Sequence, residues 1–65
     1  MAQHSSLYNQ RLAQFVANPS GTNFALYMEA LADEHVAGQV TEAEFVALTR
    51  EALTIRDRAI ARGRS

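Results

Sequence analysis

Six of the nine acidic and histidine side chains in this chain lie between residues 29 and 44. Asp33, Glu34 and His35 are consecutive, so on a helix they point in different directions and cannot jointly hold a metal ion. Glu29 and Asp33 do share a helix face, and paired carboxylates can act in general acid–base catalysis. A chain of 65 residues, however, has little volume for the concave pocket that catalysis uses. We therefore expect no enzymatic activity and no catalytic residues.

The stretch from Asp33 to Glu44 has part of the pattern of a calcium-binding loop. Asp33, Gly38 and Glu44 fall at positions 1, 6 and 12 of such a loop. The loop also needs oxygen ligands at positions 3 and 5, where this chain has His35 and Ala37. The absence of cysteine also removes thiolate zinc sites. We therefore expect neither a bound metal ion nor a cofactor.

The charges of the chain are segregated along its length. Residues 29–51 contain six acidic side chains and one arginine, whereas residues 52–65 contain four arginines and one aspartate. Those arginines, which are able to neutralise phosphates, are Arg56, Arg58, Arg62 and Arg64. Two observations oppose binding to nucleic acid. The net charge of the chain is −1, and a helix-turn-helix motif around Gly38 would begin its recognition helix with the acidic residues Glu42 and Glu44. Binding to nucleic-acid backbones through the arginine tail is therefore the alternative hypothesis, not the main one.

Apolar periodicity and helix-ending residues predict an all-α fold, because no segment alternates apolar and polar residues as a strand does. The three predicted helices, of which the third is the longest, span about 6–17, 22–37 and 41–62. Pro19 ends the first helix, and Gly38 suits the left-handed position that follows the second. We predict one small domain over residues 1–65, with a frayed N-terminus (1–5) and a basic C-terminal tail (62–65).

The junction between the second and third helices carries a recognisable pattern within residues 31–53. A leucine-bearing helix is followed by a glycine, an aliphatic–threonine pair and a Glu-Phe pair that opens the next helix. The residues in these places are Gly38, Val40, Thr41, Glu44 and Phe45. The segment resembles the short C-terminal domain called SHOCT, although Glu34 replaces a usual leucine and Thr49 a usual lysine. The resemblance implies a role in oligomerisation or docking. The capping box formed by a threonine and the glutamate three residues later produces nearly the same string for structural reasons alone.

The third helix has more apolar surface than contact with one core requires. Besides a first stripe, which consists of Phe45, Leu48, Ala52, Ile55 and Ala59, it has a second stripe of Val46, Leu53 and Ile60. Together they cover about half the helix circumference, against the ~100° that a surface helix needs. We expect the surplus to pack on a second copy in a homodimeric bundle. The predicted self-association residues are Phe45, Val46, Leu48, Leu53, Ile55 and Ile60. The alternative is that the first two helices straddle the third and cover it.

These features favour a small protein-binding module, either an adaptor or an inhibitor or regulator of the kind that bacteria and phages encode. The candidate partner-binding residues are Phe24, Leu26, Tyr27, Arg56, Arg58, Arg62 and Arg64. Arg56 falls within the apolar arc, so we expect a carboxylate partner from Glu29, Asp33 or Glu34. No signal-peptide pattern and no run long enough to span a membrane is visible, so we expect a cytoplasmic location and no membrane contact.

Overall fold

The computed structural model of the protein describes residues 4–63 and consists of three helices joined by short turns. Their bounds, which confirm the predicted all-α fold to within one residue at each end, are Ser6–Ala17 (α1), Gly21–Val36 (α2) and Glu42–Gly63 (α3). As predicted, α3 is the longest, with 22 residues. The described residues contain no strand.

The first two helices begin at serines that cap them. The Ser5 hydroxyl accepts a hydrogen bond from the backbone N–H of Tyr8, and the Ser20 hydroxyl accepts one from Asn23, each at 3.1 Å. Such bonds satisfy amides that have no partner inside the helix. The capping residues therefore set where α1 and α2 start.

The turn between α2 and α3 has the predicted geometry. Gly38 has φ +82°, a left-handed conformation that a residue with a β-carbon adopts at a cost. Thr41 and Glu44 form a reciprocal capping box, in which each side chain accepts from the other's backbone N–H at 3.1 Å. The hydrogen bonds from Thr41 lower the pKa of the Glu44 carboxyl.

The middle helix, α2, packs against both α1 and α3, which touch each other only slightly. Phe24, near the start of α2, lies under the Arg56 guanidinium, and His35, near its end, stacks on Phe45 with ring centroids 4.7 Å apart. These two contacts show that α2 and α3 run antiparallel. The buried apolar core consists of Tyr8, Phe15, Tyr27, Ala30, Leu31, Val40 and Ala52.

Helix α3 is longer than the neighbour against which it packs. Its 22 residues span about 33 Å, against about 24 Å for the 16 residues of α2. Because Phe24 lies only three residues after the start of α2 and is level with Arg56, the last turns of α3 extend past the beginning of α2. The resulting shape is elongated, with extents of 40 × 21 × 17 Å.

Candidate protein-interaction site

Three aliphatic side chains of α3 remain exposed in the folded chain. Val46, Leu53 and Ile60 are 44%, 36% and 48% exposed. They are seven residues apart, and two turns of helix bring a side chain back to within about 20° of the same direction. They therefore form one line along the helix, here called the α3 stripe. Neither α1 nor α2 covers it.

The other three predicted self-association residues have a different place. Phe45, Leu48 and Ile55 are half-buried and pack against the core of their own chain. They share the helix face of Ala52, which is 2% exposed and is directed at the other two helices. The prediction that these three residues form a surface for a second copy is therefore corrected: the chain's own fold occupies most of their surface.

Tyr27 was predicted to bind a partner, and this prediction is wrong. Its side chain is 2% exposed, and its hydroxyl shares a hydrogen bond of 2.9 Å with the hydroxyl of Tyr8. Tyr27 also stacks on Phe15, with ring centroids 5.6 Å apart. Burial raises the pKa of both phenols. The neighbouring candidate Leu26 is half-buried.

Arg56 lies at the contact between α2 and α3, and its partner there is an aromatic ring. The guanidinium carbon is 4.7 Å from the centroid of the Phe24 ring, a distance typical of cation–π attraction. Its ion pair is with Asp57, at 3.9 Å, and not with Glu29 or Asp33, so the predicted carboxylate partners were wrong. The ring face supplies the negative potential that a carboxylate was expected to supply. The buried Nε–H of this arginine has no acceptor among residues 4–63.

Glu34, the third predicted partner of Arg56, contacts the start of the chain instead. It is 3% exposed, and its carboxylate accepts a hydrogen bond from the backbone N–H of Ser5 and lies 2.5 Å from His4 Nδ1. The His4 ring also stacks on Tyr8, with centroids 4.1 Å apart. Burial acts to raise the pKa of Glu34, but the contacts with His4 and Ser5 outweigh it, so the pKa is lowered.

This contact changes the interpretation of the N-terminal segment. Residues 1–5 were expected to be frayed, yet His4 and Ser5 are held by Glu34; residues 1–3 lie outside the described residues. Sequence analysis missed the pairing. A signal was present, because Glu34 follows the buried Tyr27 by seven residues on the same helix face, where an apolar side chain is expected.

The remaining candidate arginines lie at the end of α3. Arg58 and Arg62 are exposed, and Arg64 lies outside the described residues. The opposite end of the same helix begins with the exposed acidic residues Glu42 and Glu44. The surface of α3 therefore changes from negative at its start to positive at its end, which also complements the helix dipole.

A small cavity of about 70 Å³ lies between α1 and α3. Its lining is apolar apart from two phenols and one carboxylate, and consists of Tyr8, Leu12, Phe15, Tyr27, Leu48, Glu51, Ala52 and Ile55. Typical ligand pockets have volumes of about 300 Å³ or more. Over residues 4–63, no cluster of three or more potential metal ligands is present, and no helix has the length and apolar character needed to cross a bilayer.

Comparisons with known protein families, with curated proteins and with solved structures found no match. The resemblance to SHOCT over residues 31–53 therefore stays a prediction that rests on the residues of that segment.

Proposed function

We propose that the protein is a non-enzymatic, cytoplasmic protein–protein interaction module that forms a homodimer through the α3 stripe. It acts as a small adaptor, or as an inhibitor or regulator, of a protein partner. The observation that carries the proposal is the exposure of Val46, Leu53 and Ile60 along one line of the longest helix. Aliphatic side chains exposed in a line on one helix face are typical of an interaction site.

The size of the chain supports self-association. A domain of about 60 residues buries only about 60% of the surface that its unfolded chain exposes, so its stability is marginal. The chain also has no cysteine, and therefore no disulfide to compensate. Covering the α3 stripe would remove further apolar surface from water, at about 25 cal/mol per Å². A second copy therefore offers the stabilisation that the core of one copy provides only in part.

The basic end of α3 supports the presence of a second, different partner. Arg58 and Arg62 are exposed in the last two turns of α3. Arginine forms oriented, charge-assisted hydrogen bonds to carboxylates, so this end suits an acidic protein surface. The half-buried Leu26 lies on a different helix and is a weaker candidate for the same contact.

Light scattering after size exclusion tests the dimer. At about 100 μM chain, above the micromolar dissociation constants of small interfaces, we expect about twice the monomer mass of 7.2 kDa. Leu53→Asp should reduce the mass to that of the monomer without unfolding the chain, because this position is on the surface of one copy. Gln10→Asp is the control, since Gln10 is exposed on α1, away from the α3 stripe, and should leave the dimer intact. A wild-type protein that stays monomeric would contradict the proposal.

A further inference from the structure

We propose that the α3 helices of two copies pack antiparallel, with Leu53 opposite Leu53 of the second copy and with Arg50 paired to Asp57 across the interface. This inference rests on the proposed homodimer and adds its orientation and register. It commits the exposed stripe to one occupant, a second copy of this chain.

The α3 stripe is symmetric about its middle residue. Val46 and Ile60 each lie seven residues from Leu53, at 44% and 48% exposure. In an antiparallel pair centred on Leu53, Val46 of each copy therefore meets Ile60 of the other. A parallel pair would match each residue with itself. Every aliphatic side chain has an aliphatic neighbour in both arrangements, so the apolar contacts alone do not choose between them.

Two opposite charges lie on one side of the stripe. Arg50 precedes Leu53 by three residues and Asp57 follows it by four, and because they are seven residues apart they share one line along the helix. Both are exposed, and the Asp57 side chain is 70% accessible. Within residues 4–63, Arg50 has no ion pair, and Asp57 has only the 3.9 Å contact with Arg56. Both groups are therefore available to a second copy.

Antiparallel packing brings these two charges together twice. When two identical helices pack antiparallel about a two-fold axis, the same side of each helix meets across the interface, and residues on that side at similar distances before and after the centre face one another. Arg50 and Asp57 lie on one side of the stripe, about 4.5 Å and 6 Å from Leu53 along the helix axis. Arg50 of one copy then faces Asp57 of the second, and Asp57 of the first faces Arg50 of the second. The contact is reciprocal, as two-fold symmetry requires.

Parallel packing would be electrostatically poorer. It would place Arg50 opposite the uncharged Thr49 of the second copy, and Asp57 opposite Arg56, whose guanidinium already lies over the Phe24 ring. It would also set the two acidic helix starts, each with Glu42 and Glu44, next to each other and align the helix dipoles in the same direction. In the antiparallel arrangement, the acidic start of each α3 instead lies beside the basic end of the other, which includes Arg58. Charge complementarity therefore selects the antiparallel orientation.

Cysteine cross-linking tests the orientation directly, because the chain has no cysteine of its own. Val46→Cys and Ile60→Cys proteins are mixed and oxidised, and the disulfide-linked species are identified by mass. The antiparallel dimer should give mostly the mixed Val46→Cys/Ile60→Cys species, with little cross-linking of either variant alone, since like positions lie about 21 Å apart along the axis. Thr54→Cys, outside the interface, is the control and should not cross-link.

An exchange of charges tests the register. Arg50→Asp and Asp57→Arg should each weaken the dimer about three- to tenfold, because each places like charges opposite one another in both halves of the interface. The double variant, which exchanges the two charges, should return the dissociation constant to within about twofold of the wild-type value. In a parallel dimer the double variant would not recover the wild-type dissociation constant, because Arg50 and Asp57 do not face each other in that arrangement.

The outcomes separate the orientation from the function. If the wild-type protein has the mass of a dimer but Val46→Cys and Ile60→Cys each cross-link to themselves, the antiparallel orientation is wrong and the homodimer proposal is retained. A dimer with the mixed cross-link but no rescue by the charge exchange would overturn the Arg50–Asp57 pairing. A monomeric wild-type protein would overturn the homodimer and, with it, this inference.

Discussion

Tyr8 and Tyr27 share a hydrogen bond of 2.9 Å between their hydroxyls in the buried contact of α1 with α2. Their rings also touch, with centroids 5.4 Å apart. Both side chains are almost completely buried, at 1% and 2% exposure. The two hydroxyls therefore hydrogen-bond to each other in a place with little access to water, and the pair links α1 to α2.

Removing both hydroxyls of this pair should destabilise the fold by less than the sum of the two single removals. Tyr27→Phe leaves the Tyr8 hydroxyl buried without its partner, and we expect a loss of about 1–2 kcal/mol in the free energy of unfolding. The double variant Tyr8→Phe/Tyr27→Phe should cost less than the sum of the two single variants. Chemical denaturation followed by circular dichroism measures these values, and strict additivity would contradict the coupling.

The tyrosine pair also predicts a loss of stability in alkaline solution. Burial raises the pKa of both phenols, so the unfolded chain releases these protons at a lower pH than the folded chain. The contribution of the two phenols to stability should therefore be constant up to about pH 9 and fall as the pH rises past ~10, the ordinary phenol pKa. Absorbance of tyrosinate near 295 nm should rise together with unfolding.

This alkaline transition can be assigned with little ambiguity. The chain has no lysine and no cysteine, and these are its only tyrosines, so few other side chains titrate in the same range. The Tyr8→Phe/Tyr27→Phe variant should show a much flatter dependence of stability on pH between about 9 and 11. An unchanged dependence in that variant would show that the pair is not responsible.

Glu34 predicts the opposite response, in acid. The contacts with His4 and Ser5 lower its pKa despite burial, so the folded state favours the charged carboxylate. Its contribution to stability is present above the ordinary carboxyl pKa of about 4.3 and is lost as the pH falls below it. Thermal unfolding between pH 7 and pH 3 should show this loss.

Substitution separates Glu34 from the other carboxylates. At pH 7, Glu34→Gln should lower the free energy of unfolding by about 1–3 kcal/mol, because a buried site built for an anion loses its charge. It should also weaken the acid dependence. Glu29→Gln on the exposed surface of the same helix is the control, and we expect an effect within about 0.5 kcal/mol. Equal effects of the two variants would contradict a special role for Glu34.

The glycine after α2 predicts a stability difference between two glycine-to-alanine substitutions. Gly38→Ala should cost about 1 kcal/mol, because φ +82° is unfavourable for a residue with a β-carbon. Gly21→Ala, at the start of α2, should be neutral or stabilising by up to about 1 kcal/mol, since its backbone is helical and a β-carbon there would meet open space. A destabilising effect of Gly21→Ala as large as that of Gly38→Ala would contradict this reasoning.

The helices could be predicted from the sequence because their limits are set by neighbouring residues. The capping box of Thr41 and Glu44, the left-handed Gly38 and the serine caps each act over a few positions, so each is visible in a short stretch. The α3 stripe could likewise be placed by counting residues around one helix. The α3 stripe is exposed because one packed helix, α2, is too narrow to cover both this stripe and the adjacent first apolar stripe of α3.

The long-range pairings could not be predicted in the same way. Glu34 and His4 are 30 residues apart, and nothing near either residue identifies the other. Arg56 needed a partner, but whether this was a carboxylate or the face of Phe24 depended on the rotation of α2 against α3. The same rotation directs Tyr27 into the core while the adjacent Leu26 stays half-buried. Such angles are set by the packing of the whole chain.

The contact between Glu34 and His4 also decides where an attached tag would be situated. Anything fused ahead of His4 leaves the bundle beside the turn that joins α2 to α3, about a helix length away from Arg58 and Ile60. An affinity tag or fluorophore at that position leaves the basic end of α3 accessible to a protein partner. The same tag fused after α3 would sterically hinder the basic end of α3 and weaken binding of a protein partner there.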